Sequence, residues 1–292
     1  MDKWNLIVDV PLCENCNNCV LATKDELVAN NFPGYSAPHA AHGPGVIRIH
    51  RMVRGQAPMV DTAYLPRLCN HCDDAPCVRA AGGAIYKRKD GIVIIDPITA
   101  KGRRVLVDAC PYGAIVWNEE QQLPQNWFFD AHLLDAGWKT PRCVGVCPTA
   151  AIEAVKISDD AMKKRVDQEQ LRSLNPEWGT RPRVYYRHLG RFDRCFIGGS
   201  AVVVAQGRSE CLEGADVELK QSGGIVARTR SDVFGDFKFD GLANNSGQYE
   251  ITAHHPRHGR VHLSVTLGDQ SLYLGEIRLT SDSQYPRLTT PT

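Results

Sequence analysis

No stretch of this 292-residue chain approaches the roughly 20 consecutive apolar residues of a membrane helix; the longest unbroken apolar runs, such as Ala201–Ala205, fall far short of it. Net charge is also lacking, with 34 Lys and Arg against 33 Asp and Glu. No bulk attraction to nucleic acid or to a membrane surface follows. The start, Met1-Asp2-Lys3-Trp4-Asn5, has neither the basic opening nor the apolar core of a secretory signal. No Ser/His/Asp set, phosphate loop or nicotinamide fingerprint stands out. The expectation is a soluble, cytoplasmic chain without nucleic-acid or membrane partners and without catalytic residues of its own. Export in the company of a signal-bearing partner is compatible with the same reading.

Cysteine is abundant by contrast, at eleven residues, nine of them between Cys13 and Cys147. A disulfide framework would scatter pairs through a small signalled domain. Tight groups in an unsignalled chain point to metal instead. Cys13-x2-Cys16-x2-Cys19 has the spacing that opens a bacterial ferredoxin run, and Cys69-x2-Cys72-x4-Cys77 is a second triplet. Two remote cysteines each precede proline within a repeated Cys-Pro-x-x-Ala-Ile phrase, Cys110 to Ile115 and Cys147 to Ile152. A triplet holds three corners of an iron–sulfur cube, and a Cys-Pro donor supplies the fourth. Eight thiolates therefore suffice for two [4Fe–4S] clusters. Two zinc sites could also use eight cysteines, but zinc commonly joins two Cys-x2-Cys hairpins rather than three donors plus one. Spacing leaves Cys110 and Cys147 interchangeable between the triplets. His71, between Cys69 and Cys72, reads as a neighbour of the ligands rather than a ligand.

Three zones are legible. Residues 1–155 carry the clustered cysteines, with strand-length runs at Asn5–Val10 and Gly91–Asp96. Residues 156–199 read as a connecting segment. A helix over 158–174 is capped at Ser158 and ended by Asn175-Pro176. An Arg- and aromatic-rich arm follows, lying on another surface or solvated as a linker. Residues 200–280 hold seven short alternating or apolar runs at Ala201–Ala205, Ala215–Lys220, Ile225–Thr229, Asp236–Asp240, Gln248–Ala253, Val261–Leu267 and Leu272–Leu279, separated by glycines. This spacing predicts an antiparallel β-sandwich, and residues 281–292 a tail. The fold class expected is thus α+β, a double ferredoxin-like cluster domain followed by the sandwich. His254, His255, His258 and His262 lie close in sequence and read as a polar strand end and its turn.

The phrase Ser231-Asp232-Val233-Phe234-Gly235-Asp236-Phe237-Lys238-Phe239 resembles the turn and strand of transthyretin-like or carboxypeptidase-regulatory-like modules. A wider resemblance rests on both triplets, on Asp90–Pro97, Cys110-Pro111-Tyr112-Gly113, Trp117–Glu120, Ala131–Asp135 and Arg181–Tyr186. In these the chain resembles the ferredoxin subunits of the molybdopterin oxidoreductases, the dimethyl sulfoxide reductase family. It is nearest to the branch formed by the small subunits of pyrogallol–phloroglucinol transhydroxylases.

The resemblance implies one cluster on Cys13, Cys16, Cys19 and Cys147, and another on Cys69, Cys72, Cys77 and Cys110. It also marks departures. Thr23, Trp127 and Asp130 stand where the family has cysteines that bind a further cube together with Cys143. The implied reading is that this cube is absent and Cys143 a buried thiol. Ala81 marks another lost cluster. The function implied is electron transfer in a soluble molybdopterin oxidoreductase, an aromatic (polyphenol) hydroxylase or transhydroxylase. The partner would be a large catalytic subunit holding a molybdenum or tungsten bis-pterin. The alternatives are another soluble molybdoenzyme, or a mainly structural subunit whose clusters hold the fold. The insertion through Asn30–Tyr35 and Ala41–Gly45, the arm Arg181–Arg194 and the sandwich suggest a 1:1 heterodimer with an obligate interface of roughly 2,000 Å² or more.

Overall fold

The computed structural model describes Met1–Thr280, so the tail expected at 281–292 lies outside the described residues. The chain forms two compact units, Met1–Arg51 with Ala63–Leu189, and Met52–Thr62 with the residues from Gly190 onward.

The first unit is built on β1 (Lys3–Asp9), a strand whose Trp4 to Val8 are all buried. Further along lie α1 (Asn18–Leu27), the paired strands β2 (Arg48–Gln56) and β3 (Met59–Arg67), and α2 (Pro76–Ala80). Two short hairpins follow, β4 (Ile85–Lys87) with β5 (Val93–Ile95) and β6 (Val116–Asn118) with β7 (Leu123–Gln125). The unit continues through α3 (Ala131–Asp135), α4 (Arg142–Gly145), β8 (Ile152–Ile157), α5 (Asp159–Glu169) and β9 (Val184–Arg187). Strand β1 is central, antiparallel to β8 and parallel to β9. A continuous apolar run is what a strand needs when both its faces are covered. Helix α5 and the turn after it cover one of them, with Met162 and Leu171 packed on Ile7.

Two expectations change here. Helix α5 starts at the Ser158 cap, whose Oγ accepts the Ala161 N–H at 3.2 Å, but it stops at Glu169 rather than near 174. Gln170 takes a left-handed conformation (φ 51°), which turns Leu171 into the core. Arg172 then exchanges backbone hydrogen bonds with Tyr186 at 2.7 and 3.0 Å. The arm is neither solvated nor separate at Val184–Arg187, because these residues are the third strand of the β1 sheet. The first unit therefore runs on to Leu189, beyond the boundary at 155, and the tip of the β2–β3 ribbon, residues 52–62, belongs to the second unit.

The second unit opens with α6 (Gly190–Asp193) and β10 (Cys195–Ala205), followed by β11 (Arg208–Cys211), β12 (Asp216–Gln221) and β13 (Gly224–Arg230). Then come β14 (Asp236–Leu242), β15 (Gly247–His255), β16 (Gly259–Leu267) and β17 (Leu272–Arg278). One sheet joins β11, β10, β14 and β17, and the other has the order β13-β12-β15-β16. Alternate residues of both sheets fill one core, Ile197, Phe237, Phe239 and Ile277 from the first, Val217, Leu219, Ile251 and Val265 from the second. All seven anticipated runs are strands. The expected purely antiparallel pairing does not hold, since β17 lies parallel to β10. The chain reaches β17 only after crossing the other sheet, so no hairpin dictates its direction. Strand β11 is fully exposed along its length and carries no apolar alternation to betray it.

Candidate metal centre

After β1 a single turn, Val10–Leu12, delivers Cys13, whose N–H bonds to the Val10 carbonyl at 3.2 Å. Asn15 and Asn17 then take positive φ (58° and 62°), a conformation asparagine tolerates better than most residues. These two reversals curl the loop, and Cys19 enters on the first turn of α1. Helix α4 packs on α1 and ends in the turn that presents Cys147, with Asn18 Nδ2 donating to the Val146 carbonyl at 3.4 Å. Cys13, Cys16, Cys19 and Cys147 thus line one small pocket, walled by Ile49, Pro66, Ala151 and Ile152. Burial pushes the Cys13 thiol up against the pull of the Asn15 backbone N–H, and Cys147, Cys16 and Glu14 push it further. Cys19 is pushed to about 11 by burial and by the neighbouring thiols of the same set.

The second group lies in a buried apolar cluster with Ile85, Val93, Ile95, Leu106, Ala114 and Ile115. His71 turns the Cys69–Cys72 loop with φ 46°, and its Nδ1 accepts the Val93 N–H at 3.0 Å, so the neutral ring carries its proton on Nε2. Cys77 sits in α2, and Cys110 ends a turn closed by its N–H to the Val107 carbonyl. Burial, then Cys110 and Cys77, raise the Cys69 thiol far above its ordinary value. Cys72 is raised to about 11 and Cys77 to about 12, in both cases by burial first and with Cys110 among the causes.

Remote segments pin this loop. Lys87 Nζ donates to the His71, Cys72 and Gly91 carbonyls at 2.7, 3.0 and 2.8 Å and pairs with Asp73 at 3.1 Å. Arg183, its side chain 4% exposed, grips both Asp73 oxygens at 2.7 and 2.6 Å. Thr180 accepts the Asp74 N–H through its carbonyl, and the Arg183 N–H donates to the Asn70 carbonyl. None of these supports was singled out from the sequence, apart from Arg183 as a member of the Arg-rich arm. Remote side chains meeting a loop leave no local spacing to read.

The third position is filled differently. Thr23, Trp127, Asp130 and Cys143 are all buried, three of them completely. Thr23 Oγ1 donates to the Cys19 carbonyl at 2.8 Å. The Trp127 indole N–H donates to Asp130 Oδ1 at 3.3 Å, and Asp130 Oδ2 accepts the Arg142 N–H at 2.8 Å. Burial and the adjacent Asp130 carboxyl raise the Cys143 thiol well above its ordinary value. Ala81 is fully buried in the core around the second thiol group. Of the other cysteines, Cys195 donates to Asn244 Oδ1 at 3.2 Å within the second unit, where Cys211 is exposed.

All eleven cysteines are free thiols. Among the described residues no three or more His, Cys, Asp or Glu side chains converge closely enough for one metal ion. Each set gathers four thiols, all at least partly buried except the exposed Cys16, into a donor set that a cationic iron core would satisfy. Both sets fit a cluster held by thiolates.

Residues 60–157 match the family model described as 4Fe-4S dicluster domain. The chain is 42% identical over 282 residues to the pyrogallol hydroxytransferase small subunit of Pelobacter acidigallici, covering 96% of this chain and 100% of that one. The chain belongs to the pyrogallol hydroxytransferase small-subunit family. Two further relatives share less of it. A tetrathionate reductase subunit of Salmonella typhimurium is 32% identical, covering 64% of this chain and 73% of its own. The arsenate respiratory reductase iron–sulfur subunit of Shewanella sp. is 27% identical, covering 63% and 95%. The match within the pyrogallol hydroxytransferase small-subunit family spans nearly the whole chain, so it takes in residues of both units. Among the described residues no helix is long and apolar enough to cross a membrane.

Proposed function

We propose that this chain is the electron-transfer subunit of a molybdopterin oxidoreductase acting on hydroxylated aromatics. In this reading the first [4Fe–4S] cluster sits on Cys13, Cys16, Cys19 and Cys147. The second sits on Cys69, Cys72, Cys77 and Cys110. The observation that carries it is the gathering of these eight thiols into two sets of four, within a family whose named relative is a pyrogallol hydroxytransferase subunit. A bound cluster of this kind supplies one-electron chemistry. The chain's own residues do the rest. The loops orient the thiols, the apolar walls keep water from the second set, and backbone N–H groups of Asn15, Val20 and His71 favour the thiolate forms of Cys13, Cys19 and Cys69. Among the described residues no three donors meet on one ion, which supports clusters over zinc, whose four sulfurs would stand about 3.8 Å apart.

The same proposal includes a double ferredoxin-like arrangement for the first unit and a transthyretin-like module for the second. It also includes a 1:1 partnership with a large catalytic subunit that holds a molybdenum or tungsten bis-pterin, in the cytoplasm. A second reading has one observation in its favour. With Trp127 in the third position, a relay of clusters would lack a link, which suits clusters that serve mainly to hold the fold.

Purification from the native host, followed by addition of a polyphenol substrate, separates these readings. The proposal expects co-purification with a larger subunit and reduction of the clusters by substrate. A lone chain of 32.3 kDa carrying its clusters would sink the partnership. Clusters that stay oxidised in an active complex would favour the structural reading.

A further inference from the structure

The two thiol loops are held in opposite ways. Cys69, Asn70, His71 and Cys72 are all buried, and their loop is tied to segments far from it in sequence. Lys87 Nζ sits against it and donates to the His71, Cys72 and Gly91 carbonyls. The Asp73 N–H donates to the Arg181 carbonyl at 2.9 Å and the Asp74 N–H to the Thr180 carbonyl at 3.0 Å. The Arg183 N–H reaches the Asn70 carbonyl at 2.8 Å, and the Val93 N–H reaches His71 Nδ1 at 3.0 Å. None of these bonds passes through a thiol, so they order the loop independently of iron. The loop of the first set has no such frame. Its base is fixed, with Thr149 Oγ1 donating to the Leu12 carbonyl at 2.6 Å. Its middle, Glu14 to Asn18, is exposed at every residue, and Asn17 Nδ2 turns back on the Asn15 carbonyl at 2.9 Å. Among the described residues, Glu14 to Asn18 make one hydrogen bond to a remote segment, from Asn18 Nδ2 to the Val146 carbonyl at 3.4 Å.

We propose that the second thiol set is a site formed in advance and that the first closes around its cluster, which makes the first cluster the exchangeable one. The inference rests on the two-cluster reading above. A loop without a frame gives up its conformational freedom only when a cluster orders it, and that cost weakens the binding. A framed loop gives up little, and its thiols stay in place when one bond to iron opens. Under iron limitation the chain therefore keeps the second cluster and releases the first. Lys87 is the positioning residue of the second site, because it fastens the Cys69–Cys72 loop to the β4–β5 hairpin.

The test exposes the purified, cluster-loaded protein to an iron chelator under argon, with iodoacetamide present. Visible absorbance follows the loss of iron, and mass spectrometry locates the thiols set free. Iron should leave in two phases, the first taking the content from about eight to about four per chain. Cys13, Cys16, Cys19 and Cys147 should be alkylated in that phase, at least about tenfold faster than Cys69, Cys72, Cys77 and Cys110. Lys87→Met leaves the His71 and Cys72 carbonyls without their donor, so it should speed the second phase by about tenfold and leave the first unchanged. Asn18→Ala should speed the first phase alone. Release of both sets in one phase, or of the second set first, would overturn the inference. So would a loaded Lys87→Met protein whose second phase has not moved, since exposure alone would then set the order. If Lys87→Met fails to fold, Asp73→Asn, which loosens the same frame at its contacts with Lys87 and Arg183, decides in its place. About four irons in the untreated parent protein would instead overturn the two-cluster reading, and this inference with it.

Discussion

Replacing Trp127 with alanine tests whether the third cluster position is a sealed part of the core. The indole is fully buried, with ring centroids 4.8 Å from Phe129 and 5.6 Å from His71. Truncating a tryptophan in such a place costs about 3–5 kcal/mol in lost burial and residual cavity. Its N–H also serves Asp130, which is fully buried and would be left with the Arg142 N–H as its remaining backbone donor. That loss adds about 1 kcal/mol. Trp127→Ala should therefore destabilise the first unit by about 4–6 kcal/mol, and Trp127→Phe, which keeps most of the apolar volume, by about 1–2 kcal/mol. Urea titration followed by the visible absorption of the clusters reads both, and iron content before denaturation should match the parent. A loss under about 1 kcal/mol for Trp127→Ala would refute the reasoning, because a ring that can be removed so cheaply does not close the space.

Arg54→Met should destabilise the second unit by about 3–5 kcal/mol in a urea titration, since it strips Asp61 and Asp240 of a guanidinium that is 5% exposed and bonds both. Unchanged unfolding would mean that Arg191 and Lys238 suffice as partners. The acid limb has a sign as well. Burial opposes the Asp61 charge, but Arg191 and Arg54 outweigh it and hold the carboxyl at about 2, below its ordinary 3.8. A value depressed by folding contributes stability above the unfolded value and loses it as the pH falls through the folded one. The second unit should weaken between about pH 4 and pH 2, and Asp61→Asn should flatten the stability curve over that window.

The sandwich was legible because its strands alternate, as in Val217 and Leu219 or Tyr249, Ile251 and Ala253, with glycines between them. Direction was not, because the parallel pairing of β17 with β10 depends on how the chain crosses between sheets. Strand β11 carries only exposed side chains, so no pattern announced it. The end of α5 was misplaced because its apolar spacing continues through Leu171, while the turn at Gln170 has no glycine to mark it. The cysteine groups were legible as triplets plus Cys-Pro donors. Which remote donor approaches which triplet follows from the packing of α4 on α1 and the turn before Cys110, neither of which spacing encodes. Lys87 and Thr180 were invisible as supports of the Cys69–Cys72 loop, since strand, arm and loop meet only in the fold.

Iron and acid-labile sulfide analysis of the purified chain tests the central claim most directly. Two cubes on eight cysteines require about eight irons and eight sulfides per chain, with the same count in Cys143→Ser and about four fewer of each in Cys16→Ser or Cys72→Ser. A count near twelve would place a cluster where Trp127 and Asp130 now stand, and a count near four would mean that one of the two thiol sets holds nothing.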